Sequence, residues 1–504
     1  MRLGTRSRTK VSFGDFQTPG SLAKQACALL RKRGIKPASV LEPNCGTGSF
    51  LLASLDEFPT ARQVVGVDIN PRYVSALRSA LCARPESRKT MVVRGDFYTF
   101  SWPRVLGHLE EPILVLGNPP WVTNAELSTI GGGNLPEKSN FQRHSGLDAI
   151  TGKSNFDISE WMLLREIEWL DGRCGTLAML CKTAVARKVL YQAWKRGMRL
   201  SRSDVYPIDA MKHFGAAVDA CLFVCDFTTS RRTTECFIHK GLQEACVGTL
   251  GLRDGRLVAD ASAYDRWKFL SGPDPHYKWR SGIKHDCAKI MEFRKEGEFY
   301  RNGLGELIEL EEACTYPMLK SSDLANDLVA HRSRWMLVTQ RFIGQDTSVV
   351  RDTTPKTWAY LERHAQLLQD RASSIYEGRP PFSIFGVGEY SFAPWKVAIS
   401  AFYKKLDFKV VGPMGSKPVV LDDTCYFLAC QSQDEAECVA RLLNSPPARS
   451  FYHSLIFWDA KRPVTIEILS QLSVPAVARE LGLERALNQY MRAQPKSLFD
   501  LARQ

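Results

Sequence analysis

No Cys-x-x-Cys pair occurs among the 14 cysteines of this 504-residue chain. That spacing marks zinc ribbons and dithiol redox sites, so neither is expected, and no bound metal is expected either. Several thiols, Cys221 and Cys225 among them, sit in apolar runs. Such placement suits buried free thiols in a reducing compartment rather than a disulfide framework. No apolar stretch approaches the roughly 20 residues needed to span a bilayer. The basic N-terminus MRLGTRSRTK leads into no apolar segment, so no secretory signal is expected. Internal repeats and low-complexity tracts are also missing, which excludes collagen-like, coiled-coil and disordered readings. The expectation is a soluble cytoplasmic protein with no membrane partner.

What the chain has in surplus is positive charge. Lys and Arg number 67 against 54 Asp and Glu, a formal net charge of +13. A basic balance of this size points to a polyanion, nucleic acid before an anionic membrane surface. Residues 1–230 hold 30 basic and 21 acidic side chains, and the remainder 37 and 33, so most of the excess lies in the first half. Hydrophobic residues make up 44% of the sequence, ample material for a large core.

Up to about residue 230 the pattern alternates strands and helices. Strands are expected at Ser39–Leu41, Gln63–Val67, Thr90–Arg94, Ile113–Leu116, Gly175–Cys181 and Cys221–Asp226, and helices at Ser21–Arg33, Pro71–Ala83 and Ser159–Leu170. Such alternation argues for a doubly wound α/β sheet with its ligand beyond the carboxyl ends of the strands. The polar run FTTSRRTT (227–234) reads as a domain boundary. The expected domains are therefore 1–230 and 231–504, the second less regular and rich in Trp, Tyr, Arg and Pro, with a helical tail.

The first strand runs into Glu42-Pro43-Asn44-Cys45-Gly46-Thr47-Gly48-Ser49-Phe50, whose glycines allow a tight turn and close backbone approach to a ligand. The second strand ends in Asp68, where a carboxylate can accept from both hydroxyls of a ribose. The third ends in Asp96-Phe97, an acceptor for an adenine amino group and a ring to cover it. The third glycine of the dinucleotide fingerprint is missing, which speaks against nicotinamide or flavin. A fourth strand leads into Asn118-Pro119-Pro120-Trp121. The prolines fix φ and lack N–H donors, leaving a rigid loop with outward carbonyls. The Asn118 amide oxygen and the Pro119 carbonyl form a pair of acceptors for an amino group, and Trp121 offers a stacking face.

With Phe16-Gln17-Thr18-Pro19 upstream, the Glu42–Phe50 loop, Asp68, Asp96-Phe97 and Asn118–Trp121, residues 13–230 resemble the gamma-class, TaqI-type DNA adenine-N6 methyltransferases. The resemblance implies a class I methyltransferase fold, with a mixed sheet and a C-terminal α+β target-recognition domain. It implies S-adenosylmethionine as cofactor, with Thr18 at its methionine end, Glu42, Asn44, Gly46, Gly48 and Asn118 lining its site, Asp68 on the ribose and Asp96 with Phe97 on the adenine. It further implies that His213–Leu222 carries a second aromatic, Phe214, which sandwiches a flipped adenine against Trp121. Family members more often have Tyr or Phe where this chain has Trp121.

Double-stranded DNA is the implied partner of a monomeric enzyme, with a cognate restriction endonuclease or phage-defence system as a further one. Lys138, Arg143 and Lys153, in the long polar loop after Trp121, and Lys396, Lys461 and Arg462, among aromatics of the second half, are the candidate DNA contacts. No PD-(D/E)xK cluster is evident, so a fused nuclease is not expected. Two rivals stand beside this reading. One is a methyltransferase for an RNA base or a protein amide nitrogen using the same NPPW tetrapeptide; the other is a DNA-binding module that has lost catalysis.

Overall fold

The computed structural model describes residues 17–122, 157–229, 232–243, 245–330, 333–460 and 462–493. The chain forms two compact units, divided at Ala261 and Ser262.

The first unit is built on one ten-stranded sheet. Its elements in chain order are α1 (Gly20–Lys32), β1 (Ser39–Glu42), α2 (Ser49–Glu57), β2 (Gln63–Asp68), α3 (Pro71–Cys82), β3 (Thr90–Arg94), β4 (Ile113–Gly117), α4 (Ile158–Leu170), β5 (Gly175–Lys182), α5 (Thr183–Lys195), β6 (Leu200–Ile208), α6 (Ala210–Phe214), β7 (Ala220–Phe227), β8 (Glu235–His239), β9 (Cys246–Arg253) and β10 (Arg256–Val258). The strand order is β10-β9-β8-β6-β7-β5-β4-β1-β2-β3. β3, β2, β1, β4 and β5 are parallel, while β7 runs antiparallel between β5 and β6. β1 and β4 are buried along their whole length, as expected of parallel strands covered on both faces. Local chemistry starts the helices. Asn70 caps α3 by accepting from Arg72 N at 3.0 Å, with Pro71 in the first turn. Asp157 likewise accepts from Ser159 N at 3.1 Å to begin α4.

From β1 the chain winds outward through β2 and β3, then crosses back to β4 on the other side of β1. That reversal opens a crevice beyond the carboxyl ends of β1 and β4.

The run 227–234 is not the end of this unit. It joins β7 to β8, which pairs with β6 at Asp204↔Phe237 and Val205↔Ile238 and carries the sheet on to Val258. The sheet also contains β6, which the sequence pattern did not reveal.

The second unit, Ser262–Gln504, is α+β. One sheet has the order β11-β20-β17-β18 and the other β14-β13-β12-β16-β15-β19. Their strands are β11 (Arg280–Ser281), β12 (Glu292–Glu296), β13 (Phe299–Asn302), β14 (Leu307–Ile308), β15 (Thr315–Leu319), β16 (Arg334–Leu337), β17 (Trp395–Ser400), β18 (Lys409–Val411), β19 (Val420–Leu421) and β20 (Cys425–Cys430). Phe293, Tyr300, Trp335, Trp358 and Tyr360 form the centre of its core. Helices α7 (Gln433–Leu443), α8 (Val474–Glu480) and α9 (Glu484–Ala493) lie toward its end. Among the described residues, no helix is long and apolar enough to cross a membrane.

Candidate active site

A cavity of about 510 Å³ occupies the crevice at the ends of β1, β2 and β4. Glu42, the last residue of β1, is buried, and its Oε2 accepts from Leu51 N at 2.8 Å in the first turn of α2. Burial, with a lesser push from the Asp68 charge, holds the Glu42 carboxyl well above the usual range. Asp68 closes β2. Its Oδ2 accepts from Gly46 N and its Oδ1 from Asn70 N, both at 2.8 Å. One carboxylate thus pins both the glycine loop and the turn into α3.

The glycines are favoured by torsion, and neighbouring side chains crowd them. Gly46 and Gly48 have φ of 51° and 86°. A Cβ on Gly46 would lie 2.7 Å from Gln17 Oε1, and one on Gly48 2.3 Å from Leu77 Cδ1. The segment before α1 is tied to the same loop. Thr47 N and its hydroxyl donate to Gln17 Oε1 at 3.0 and 2.9 Å, and the Ser49 hydroxyl donates to Thr18 O at 2.7 Å. Gln17 and Thr18 therefore wall one side of the crevice, and Asn118 and Pro120 wall another.

Of the cofactor residues expected from the sequence, Thr18, Glu42, Asn44, Gly46, Asp68 and Asn118 line this one cavity. Gly48 acts through the turn. Asp96 does not line it; its Oδ1 accepts from Tyr98 N at 3.0 Å. Phe97 does not cover it, and here the expectation needs correction. The ring is 5% exposed and packs among Trp102, Trp161, Trp169 and Tyr98, with centroids 5.3–6.1 Å away. Its faces are taken up by that aromatic cluster. Ile69, Arg72 and Tyr73, which sequence reasoning missed, do line the cavity. The exposed Ile69 side chain follows Asp68 directly and supplies the apolar surface that Phe97 does not. The signal was available, since the residue after a strand-terminal acid shares its crevice.

Trp121 and Phe214 do meet. Their centroids are 5.0 Å apart with the rings edge to face at 66°. The buried Trp121 donates its indole N–H to Leu180 O at 3.3 Å. Phe214 closes α6, which begins with Asp209 capping Lys212 N at 2.9 Å.

The proposed DNA contacts fare differently. Lys138, Arg143, Lys153 and Lys461 lie outside the described residues. Arg462 is exposed, with its guanidinium 4.4 Å above the Phe402 ring. Lys396 is overturned as a contact. It is 1% exposed, and its Nζ donates to Ala393 O at 2.6 Å. β17 is covered on both faces, so alternation along it offers no outward position.

The parallel strands around a central reversal, the antiparallel β7 and the cavity at the switch point define the class I methyltransferase fold. No protein-family model matches the chain. It is 44% identical over 472 residues to the type II methyltransferase M.NspV of Nostoc sp., covering 94% of this chain and 98% of that protein. It is also 30% identical over 114 residues to the type II methyltransferase M.XamI of Xanthomonas campestris pv. amaranthicola, covering 23% and 20%. A solved structure of the type IIL restriction-modification enzyme MmeI in complex with DNA aligns with a TM-score of 0.46 and 11% identity, over 96% of this chain and 74% of that one. The chain belongs to the type II methyltransferase family, the DNA methyltransferases of restriction–modification systems. The family's methyl donor is S-adenosylmethionine. The residues at the crevice fit that group: a strand-end carboxylate, a glycine-bearing loop and the apolar Ile69 share one cavity with Asn118.

Proposed function

We propose that the enzyme methylates the N6 amino group of adenine in duplex DNA, as the modification partner of a restriction endonuclease with the same target. The observation that supports this most is the placing of Asn118 at the end of β4, lining the same cavity as Asp68 and Glu42. Bound S-adenosylmethionine supplies an electrophilic methyl group on sulfonium sulfur. Asp68 holds the ribose, and Ile69 packs the adenine of the cofactor. The Asn118 amide oxygen and the Pro119 carbonyl each accept one hydrogen of the target amino group, which fixes the direction of its nitrogen lone pair. Catalysis on this reading is orientation and electrostatics.

A duplex buries adenine N6, so the nucleotide must leave the stack, at a cost of a few kcal/mol. Stacking on Trp121 and Phe214 offsets it. A base between the rings needs a gap of roughly 7 Å, two contact distances of about 3.5 Å, so the 5.0 Å edge-to-face pair must part when the base enters. Phe214 sits on a five-residue helix that ends at left-handed Gly215, and Trp121 is tied to β5 through Leu180.

Duplex DNA incubated with the enzyme and labelled S-adenosylmethionine should yield labelled N6-methyladenine on digestion to nucleosides. Label in the cytosine amino group, in RNA or in protein would overturn the reading. Asn118→Ala should reduce transfer by about 100-fold or more, the scale of losing one oriented polar contact to the reacting group. Its cofactor affinity, measured by calorimetry, should fall far less than its rate of transfer.

A further inference from the structure

β12, β13 and β16 are hydrogen-bonded neighbours, and their register sets Arg294 directly opposite Arg301 on one side and Arg334 on the other. Three arginines therefore share one row on one face of the sheet. Like charges directly opposite each other destabilise a sheet, so this row works against the stability of the isolated unit. The outer two are partly neutralised. Arg301 holds both oxygens of Glu296 at 2.7 Å and the Gly305 carbonyl at 2.8 Å, and Arg334 lies 3.6 Å from Asp323. The Arg294 side chain, in the middle, is exposed and makes no hydrogen bond or ion pair among the described residues. The nearby Glu296 carboxylate feels its charge but is held by Arg301.

The row lines a depression of about 380 Å³ together with Lys289 and Glu292. Glu292 is engaged by Lys320 at 2.6 Å and His285 at 3.3 Å. Four cations thus line the depression, and its one carboxylate is already committed. Three adjacent strands set the outer arginines about 10 Å apart, a span on the scale of neighbouring phosphates along one DNA strand. Guanidinium forks match phosphate oxygens in geometry as well as in charge.

We propose that the Arg301–Arg294–Arg334 row is a phosphate-binding strip that grips the sugar–phosphate backbone of duplex DNA. It rests on the reading above of DNA as the substrate, and it assigns the contact to residues that no motif marks. The strip reads charge and spacing, so its contribution is independent of sequence.

The test uses the full-length enzyme and fluorescent duplexes of two unrelated sequences, with affinity measured across a range of salt concentrations. Arg294→Ala should weaken binding several-fold and equally for both duplexes, and should make the slope of log affinity against log salt shallower by about one. Arg294→Lys should restore the slope, and S-adenosylmethionine affinity should not change in either variant. A parental slope in Arg294→Ala, or a loss confined to one sequence, overturns the strip. Methyl transfer by the parent enzyme is scored separately. If it labels adenine while Arg294→Ala keeps the parental slope, the strip fails and the proposed function stands. If the parent enzyme labels no adenine, that function fails, and the salt slopes still judge the strip.

Discussion

Glu166 on α4 in the first unit and Lys396 on β17 in the second are each no more than 1% exposed and have no countercharge among the described residues. They make the two units answer pH in opposite directions. Neither carboxylate oxygen of Glu166 is hydrogen-bonded, and burial holds its pKa well above the usual range. Lys396 has one carbonyl partner, and burial pulls its pKa down to about 7. A carboxyl raised on folding stabilises fully below its unfolded pKa of about 4.3, and that stability is lost as pH rises. An amine depressed on folding stabilises fully above about pH 10.4, and that stability is lost as pH falls through about 7. The contrast with Glu42 is instructive. It shares the raised pKa of Glu166, but it accepts a backbone N–H and lines a cavity. A perturbed carboxyl points to a site only when it has somewhere to act.

The largest effect should come from a charge that does have partners. Arg33 lies 2.9 Å from Asp204 and 2.8 Å from Asp226, joining the end of α1 to β6 and β7. Burial pushes the Asp204 carboxyl up, yet hydrogen bonds from Arg202 and His239 and the Arg33 charge together hold it below the ordinary range. Arg33→Met strips one cation from two carboxylates, and breaking a buried pair costs about 3–5 kcal/mol. Urea denaturation followed by tryptophan fluorescence should show a midpoint reduced accordingly. A loss below about 1 kcal/mol would mean that Arg202 and His239 suffice, and partnered and orphaned charges would then not differ as argued.

Lys396→Met should act in the opposite sense. The substitution keeps the length of the side chain and removes a charge that is costly to bury. The Ala393 carbonyl loses its partner, which costs about 1–3 kcal/mol and consumes part of the gain. A net stabilisation of about 1–2 kcal/mol is expected at pH 7 and below, shrinking toward pH 10, where the folded lysine is neutral and the unfolded one begins to lose its proton. Denaturation midpoints at pH 6, 8 and 10 give the measurement. A gain independent of pH would show that packing, not protonation, is responsible.

The sequence misread Lys396 for a physical reason, and the same reasoning explains what else was legible. β1, β2 and β4 were bounded to within a residue, because strands covered on both faces are near-continuous apolar runs; β3, bounded correctly at Thr90–Arg94, is a half-exposed edge strand of β-branched residues. β17 is such a strand, so the dipeptide Trp395-Lys396 carried no mark of which way the lysine faced. β6, in contrast, holds Arg202, Asp204 and Pro207 because its polar side chains serve the Arg33 network, and it does not read as a strand at all. Glu42, Asp68 and Asn118, which line the crevice, were legible because they fall at the ends of successive strands. The arginine row was not, because Arg294, Arg301 and Arg334 are brought together only by strand register.

Glu166 offers the smallest effect and the sharper test of the contrast between the units. Methionine has similar length and no group to desolvate, so Glu166→Met should stabilise the first unit by about 1 kcal/mol near neutral pH. The sign of the pH dependence matters more than the size. The parental carboxyl favours the folded state at acid pH and opposes it progressively as pH rises, so the advantage of Glu166→Met should be larger at pH 8 than at pH 5. Lys396→Met should show the reverse trend over the same range. Both variants can be followed by amide hydrogen exchange on α4 and on β17 at the two pH values, which separates local opening of one unit from that of the other. Parallel trends in the two variants would break the comparison, because they would place the pH dependence in a group shared by both transitions. Opposed trends would fix Glu166 and Lys396 as independent orphans, each confined to the unit that buries it.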